Sequence, residues 1–221
     1  VWYMQNSRSG SDENTFTVKA RMGQPQAKLG AYNYSVTGYW PKKLISWKFV
    51  LSSNSSTTEW FPWPELRLAD LYLLYAEALN ESDQTTAALE WIDLVRERAG
   101  LKGVNESWTT YSTKPDKFKT KAGLREIIHQ ERTVELAFEG QRFWDLRRWK
   151  TAATVLNQKI HGWDIDQEAP EAYYRPKVLF DQEFVAPRDY LWPLREESLY
   201  YNKSLVQLSL IHISEPTRLD V

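Results

Sequence analysis

The chain has 221 residues, 42% apolar and 14% aromatic, which is enough to build a core and excludes general disorder. Its 28 basic and 29 acidic residues give a net charge of -1, so no general positive field exists to hold a nucleic acid. Cysteine is absent, which excludes thiol nucleophiles, disulfides and thiolate metal sites within these residues, and no apolar run is long enough to span a bilayer.

Residues 1–65 are rich in Ser, Asn, Gly and aromatics without a helical period, and are expected to form loops and short strands, including 32–39 and 45–50. Pro62 and Pro64 punctuate the entry to a helix over 66–80, where Leu68, Leu71, Leu73, Leu74, Ala76 and Leu79 leave few polar positions. Arg67, Asp70, Leu74 and Glu77 follow helical spacing along one side. A second helix is expected over 84–99, with Ser82 or Asp83 as cap and Gly100 as stop; Ala88, Trp91, Ile92 and Val95 form its apolar stripe. Two such helices joined by a short polar turn predict an antiparallel hairpin like a tetratricopeptide unit, although no second copy recurs at a fixed period.

Residues 102–118 read as a polar and aromatic loop carrying Trp108 and Tyr111. A charged helix follows over 122–139, in which Glu131, Glu135 and Glu139 recur at i, i+4, i+8 along one face. Gly140 is the expected left-handed stop. Beyond it Arg142, Arg147 and Arg148 offer guanidinium forks, with Asp145 among them and Phe143, Trp144 and Trp149 between. Together with Arg67, Asp70, Glu77 and Arg132, these charges predict a structural ion network at a helix junction. Another helix is expected over 143–158. The helical part thus covers 66–160, and four prolines make 161–207 irregular.

Two chemical alternatives carry less weight. Glu126 and His129 match one Glu-x-x-His element of a di-iron bundle, but no second such element is present. Neither a metal nor another cofactor is therefore expected. Asp164, Asp166 and Glu168 near Trp163 would suit a glycosidase only if two carboxyls stood across a glycosidic bond, about 5–9 Å apart. No nucleophile-base arrangement accompanies them, so catalysis is not expected.

The segments Arg67-Leu68-Ala69-Asp70-Leu71-Tyr72-Leu73-Leu74-Tyr75-Ala76-Glu77-Ala78-Leu79-Asn80 and Val95-Arg96-Glu97-Arg98-Ala99-Gly100 resemble the SusD/RagB family. So do Glu131–Trp149 and Tyr190-Leu191-Trp192-Pro193-Leu194, in matching order and spacing. The resemblance covers roughly 37–207. It implies a mainly α fold of tetratricopeptide-like hairpins with long irregular loops, of which 1–207 would be a C-terminal part. It also implies a non-catalytic surface lipoprotein of the outer membrane that binds oligosaccharides or other nutrients. Its partner would be a SusC-like TonB-dependent transporter, and its lipid anchor would lie upstream of Val1. By contrast, 208–221 departs from the family pattern and reads as translated sequencing-adapter DNA.

Eleven tryptophans bear on the ligand, since a flat ring can stack on the apolar face of a sugar while polar neighbours hold its hydroxyls. Trp2, Tyr3, Trp108, Tyr111 and Trp163 are the candidate ligand-binding residues, with simple loop packing the plainer reading of each. The alternative function is a tetratricopeptide-like scaffold that binds another protein through its helical groove.

Overall fold

The computed structural model describes residues 3–5, 15–30, 34–41, 43, 50–51, 56–57 and 63–205. Trp2, most of the strand expected over 45–50, and the tail 208–221 lie outside these. In chain order the elements are strands β1 (Tyr3–Gln5), β2 (Thr15–Thr17), β3 (Val50–Leu51) and β4 (Ser56–Thr57), then helices α1 (Leu68–Glu81), α2 (Thr85–Arg98) and α3 (Val104–Tyr111). A 3-10 turn, Lys117–Lys119, precedes α4 (Lys121–Glu135), α5 (Gln141–Arg148) and α6 (Ala152–Leu156). Strand β5 (Lys159–Trp163), helix α7 (Pro170–Tyr173), strand β6 (Pro176–Asp181) and helix α8 (Glu196–Tyr201) follow. Helix dominates, and the described strands form three two-stranded ribbons, β1 with β2, β3 with β4, and β5 with β6.

The chain divides into two compact units, one holding Pro41–Phe143 and the other Thr17–Trp40 with the residues from Trp144 onward. In the first, α1 buries Ala69, Leu73, Ala76 and Leu79, one helical stripe that packs on α2 and α4. Ala76 and Leu79 share a core with Ala88 and Ile92 of α2, Val104, Phe118, and Leu124, Ile127 and Ile128 of α4, while Ala69 and Leu73 cluster with Val95 of α2. The hairpin turn closes without glycine: Asp83 takes the left-handed conformation (φ 61°), and Gln84 N donates to Leu79 O in a Schellman arrangement. Asp83 is thus a helix stop rather than the cap expected for α2, whose N-cap is Gln84.

The loop expected over 102–118 instead contains α3 and the 3-10 turn. Its first helical N–H, from Val104, donates to Asp93 Oδ1 of α2 at 2.7 Å, a cap supplied from outside the segment. Arg96 then ties three helices, donating to Glu131 of α4, to Ser107 Oγ of α3 at 2.9 Å, and to Lys102 O at 2.8 Å. Helix α4 starts on Thr120, whose hydroxyl accepts from Gly123 N at 3.1 Å.

In the second unit, the helix expected over 143–158 is broken. Lys150 adopts φ 58°, and Thr151 N reaches back to Leu146 O at 3.0 Å, which ends α5 before α6 begins. Leu146, Ala152 and Phe184 form a small core there, with Tyr190 edge-on to Phe184 at 4.8 Å. The stretch expected to be irregular after 161 contains the β5–β6 hairpin, with a register shift between Ile160 and His161. Residues 34–39, expected as strand, form a turn: Gly38 N donates to Ser35 O, and Ser35 and Thr37 hydroxyls bond locally to the Tyr39 backbone.

Candidate functional site: an aromatic cleft around Trp163

Two glycines bring the 35–38 turn against strand β5. A Cβ on Gly162 would lie 2.7 Å from Thr37 O, and one on Gly38 (φ 72°) would lie 3.0 Å from Trp163 Cδ1 and from the Tyr173 hydroxyl. With that space open, Trp163 N donates to Thr37 O at 3.0 Å, and Asp164 N donates to Tyr173 O at 3.0 Å. Trp163 is therefore fixed by backbone bonds on both sides of its own strand end.

Around it stand Tyr39 at 5.2 Å and 34° and Tyr174 edge-on at 5.5 Å and 84°; Tyr173 meets Tyr174 at 5.1 Å. Tyr173 is buried, and burial pushes its hydroxyl pKa up, so it stays neutral. Tyr39 and Tyr174 are 42% and 53% exposed, leaving ring surface free for a ligand. These rings line a cleft of about 340 Å³ whose remaining wall comes from Val18, Lys19, Ala20, Arg21, Gln24, Gly38 and Trp40. Flat apolar faces beside cationic and amide groups are the chemistry that a sugar ring needs.

The acidic loop beside Trp163 is occupied in ion pairs. Asp164 accepts from Lys177 at 3.2 Å, and Asp166 accepts from Lys177 at 3.1 Å and Lys28 at 3.0 Å. The Lys28 and Lys177 ammoniums hold the Asp166 carboxyl below its usual range. The Glu168 carbonyl accepts from Arg21 Nη1 at 3.0 Å.

The other candidates lie elsewhere. Trp108 sits on α3 rather than in a loop; it packs against the core, and the Lys117 ammonium stands 5.2 Å from its ring centroid. Tyr111 ends α3 and is 73% exposed. Both belong to the unit of Pro41–Phe143, whereas Trp163 belongs to the other. Tyr3 is described only as the start of β1. What the sequence missed is the opposite wall of the cleft, Lys19, Arg21, Tyr39 and Trp40, whose signal would have been the Ser35–Gly38 turn.

Charges of the candidate ion network hold the following partners among the described residues. Arg67 forks onto Glu139, with two bonds of 2.8 Å, and reaches Glu135 Oε1 at 2.8 Å; Lys43 pairs with Glu139, and Arg98 donates to Glu135 at 2.7 Å. Glu139 lies in the turn after α4, not on its face, because α4 ends at Glu135 and Phe138 takes φ 65°. Asp70 accepts from buried Arg132 at 2.8 Å, and Glu77 lies 3.7 Å from His129 Nε2. Arg142 donates to Thr133 Oγ1 at 2.6 Å rather than to a carboxylate of α4. Arg148 pairs with Asp145 at 2.9 Å, and Arg147 donates to Asp189 O at 3.3 Å. Glu126 is taken by Lys117, and among the described residues no cluster of three or more His, Asp or Glu is placed to hold a metal.

Comparison with known proteins agrees with this architecture. The SusD family model matches residues 1–210. SusD-like protein P38 of Formosa agariphila is 41% identical over 160 residues, covering 70% of this chain and 31% of that protein. SusD-like protein P2 of the same organism is 33% identical over 156 residues, 70% of this chain and 26% of that protein. The chain therefore spans about a third or less of the length of these relatives. Among solved structures, the one described as selenomethionine BT4246 superposes with a TM-score of 0.65 at 29% identity, covering 79% of this chain and 29% of the other. A SusD-like protein of Bacteroides fragilis NCTC 9343 gives 0.53 at 30% identity, covering 66% and 25%. A helical hairpin core matched across nearly its whole sequence by one family places this chain in the SusD family.

Proposed function

We propose that the protein is a non-catalytic, surface-exposed outer-membrane lipoprotein that captures an oligosaccharide and passes it to a SusC-like TonB-dependent transporter. The observation that carries the binding part is the cleft around Trp163, with its partly exposed Tyr39 and Tyr174 and its polar far wall. Family membership supports the transporter partnership, the location and the lipid anchor. The paired state of Asp164 and Asp166 supports binding over hydrolysis, since both acids near the aromatic ring already hold lysines.

The test is calorimetric titration of the full-length protein with a panel of soluble polysaccharides, comparing Trp163→Ala with Tyr111→Ala. Trp163→Ala is expected to weaken binding about tenfold or more, as loss of a stacking ring does, while Tyr111→Ala leaves it unchanged. Unaltered affinity in Trp163→Ala would remove the cleft from the ligand site.

A second reading, a protein-binding scaffold, is favoured by one feature of α1, which leaves Leu68, Leu71 and Leu74 exposed at 59%, 53% and 39%. Under that reading no polysaccharide of a broad panel binds.

A further inference from the structure

The cleft's charged wall carries one sign. Of the residues that line it, Lys19 and Arg21 are basic, and no Asp or Glu is among them. Of the nearby acids, Asp164 and Asp166 are matched by Lys177 and Lys28. Among the described residues the Lys19 ammonium has no partner, and the Arg21 guanidinium has only the Glu168 carbonyl, so most of its five donors are uncommitted. Trp40, in the same wall, has its indole N–H buried without an acceptor among the described residues.

The backbone that carries the two basic side chains is also held in place. Gln26 brackets Lys19, its side-chain oxygen accepting from Lys19 N at 2.9 Å while its own N–H donates to Lys19 O at 3.0 Å. Gln24 does the same for Arg21: its side-chain oxygen accepts from Arg21 N at 3.0 Å, and its own N–H donates to Arg21 O at 3.0 Å. Met22 N then donates to Gln167 O at 2.9 Å. The Gln24 and Gln26 amide oxygens thus each already accept one hydrogen bond. The charged side chains of this wall are both cationic.

A neutral sugar presents hydroxyls that both donate and accept, and it carries no charge to match the two cations. A carboxylate or sulfate ester accepts only, and it pairs with a guanidinium fork and an ammonium. We infer that the cleft takes an anionic glycan, a sugar ring stacked among Trp163, Tyr39 and Tyr174 with its carboxylate or sulfate group against Arg21 and Lys19. This rests on the glycan-binding reading above and narrows it to a substrate class.

The test titrates the full-length protein with two matched pairs: polygalacturonate against its carboxyl-reduced form, and a sulfated galactan against its desulfated form. Polyglutamate serves as the sugar-free polyanion. At least one charged member is expected to bind about tenfold or more tighter than its neutral partner, and which one identifies the group. Lys19→Gln, at an exposed side chain whose loss leaves the fold intact, is expected to erode that preference severalfold and to flatten its salt dependence. Equal binding of charged and neutral forms with sensitivity to Trp163→Ala would overturn the charge inference and leave the glycan reading standing. Polyglutamate binding as tightly as the charged glycans would also overturn it. Silence from every polymer would defeat both.

Discussion

Gly123→Ala sets helix propensity against packing. Gly123 is the third residue of α4, and on propensity alone alanine should stabilise the helix by about 1 kcal/mol. A Cβ there would lie 1.9 Å from Lys117 O and 2.8 Å from Thr120 Oγ1. Lys117 opens the 3-10 turn whose next residue, Phe118, is 5% exposed in the core beside Leu124 and Val104. The carbonyl cannot retreat without drawing Phe118 outward, and Thr120 cannot rotate without surrendering its cap on Gly123 N. Overpacking costs about 1–3 kcal/mol and a lost threonine cap about 1 kcal/mol. Against the propensity gain, the net is destabilisation by about 1–3 kcal/mol. Urea unfolding of the intact protein, followed by circular dichroism, should show a lower midpoint at unchanged slope. An unchanged or raised midpoint would refute the reasoning and mean that the turn yields freely.

Two further substitutions test the helical unit. Asp93→Ala strips the carboxylate that accepts from Val104 N, leaving a fully buried residue's N–H without its partner; a loss of about 1–2 kcal/mol is expected in the same unfolding assay. Glu139 reports on pH. Burial would raise its carboxyl, but donation from Arg67 and Lys43 outweighs burial and holds the group below its ordinary value. A depressed carboxyl contributes stability above its unfolded pKa, near about 4.3, and loses it as pH falls through the folded value. Glu139→Gln should therefore start less stable at neutral pH and decline less steeply below about pH 4.3; parallel curves for the two proteins would contradict this.

The helices were legible where the sequence carried its own period and stop. The stripe Ala88, Ile92, Val95 and the stop at Gly100 (φ 74°) delimit α2 to within a residue. Where a non-glycine residue took the left-handed position, the boundary was hidden. Asp83, Phe138 and Lys150 all do so, and each ends or redirects a helix that spacing alone would have carried on or capped differently. Helix α3 was invisible for a different reason: its N-terminal acceptor is Asp93, eleven positions earlier, and no local spacing can announce a cap that belongs to another helix.

The site was legible only by its central ring. Trp163 stood out as an aromatic in polar surroundings, yet the residues that make it a cleft come from 18–40, more than a hundred positions away. What joins them is backbone: Thr37 O accepting from Trp163 N, and Gln167 O accepting from Met22 N. Such pairings leave no mark on side-chain pattern, because any residue supplies the same N–H and C=O. The glycines are the exception. Gly38 and Gly162 each occupy a place where a methyl would strike the opposing segment, so together they are the sequence's sole local record that two strands of chain must pass within contact here. Trp108, by contrast, met the same compositional test as Trp163 but lies, partly buried, where α3 packs on the core. Both rings have polar neighbours in sequence, but of the two it is Trp163, beside the glycines, that lines the cleft.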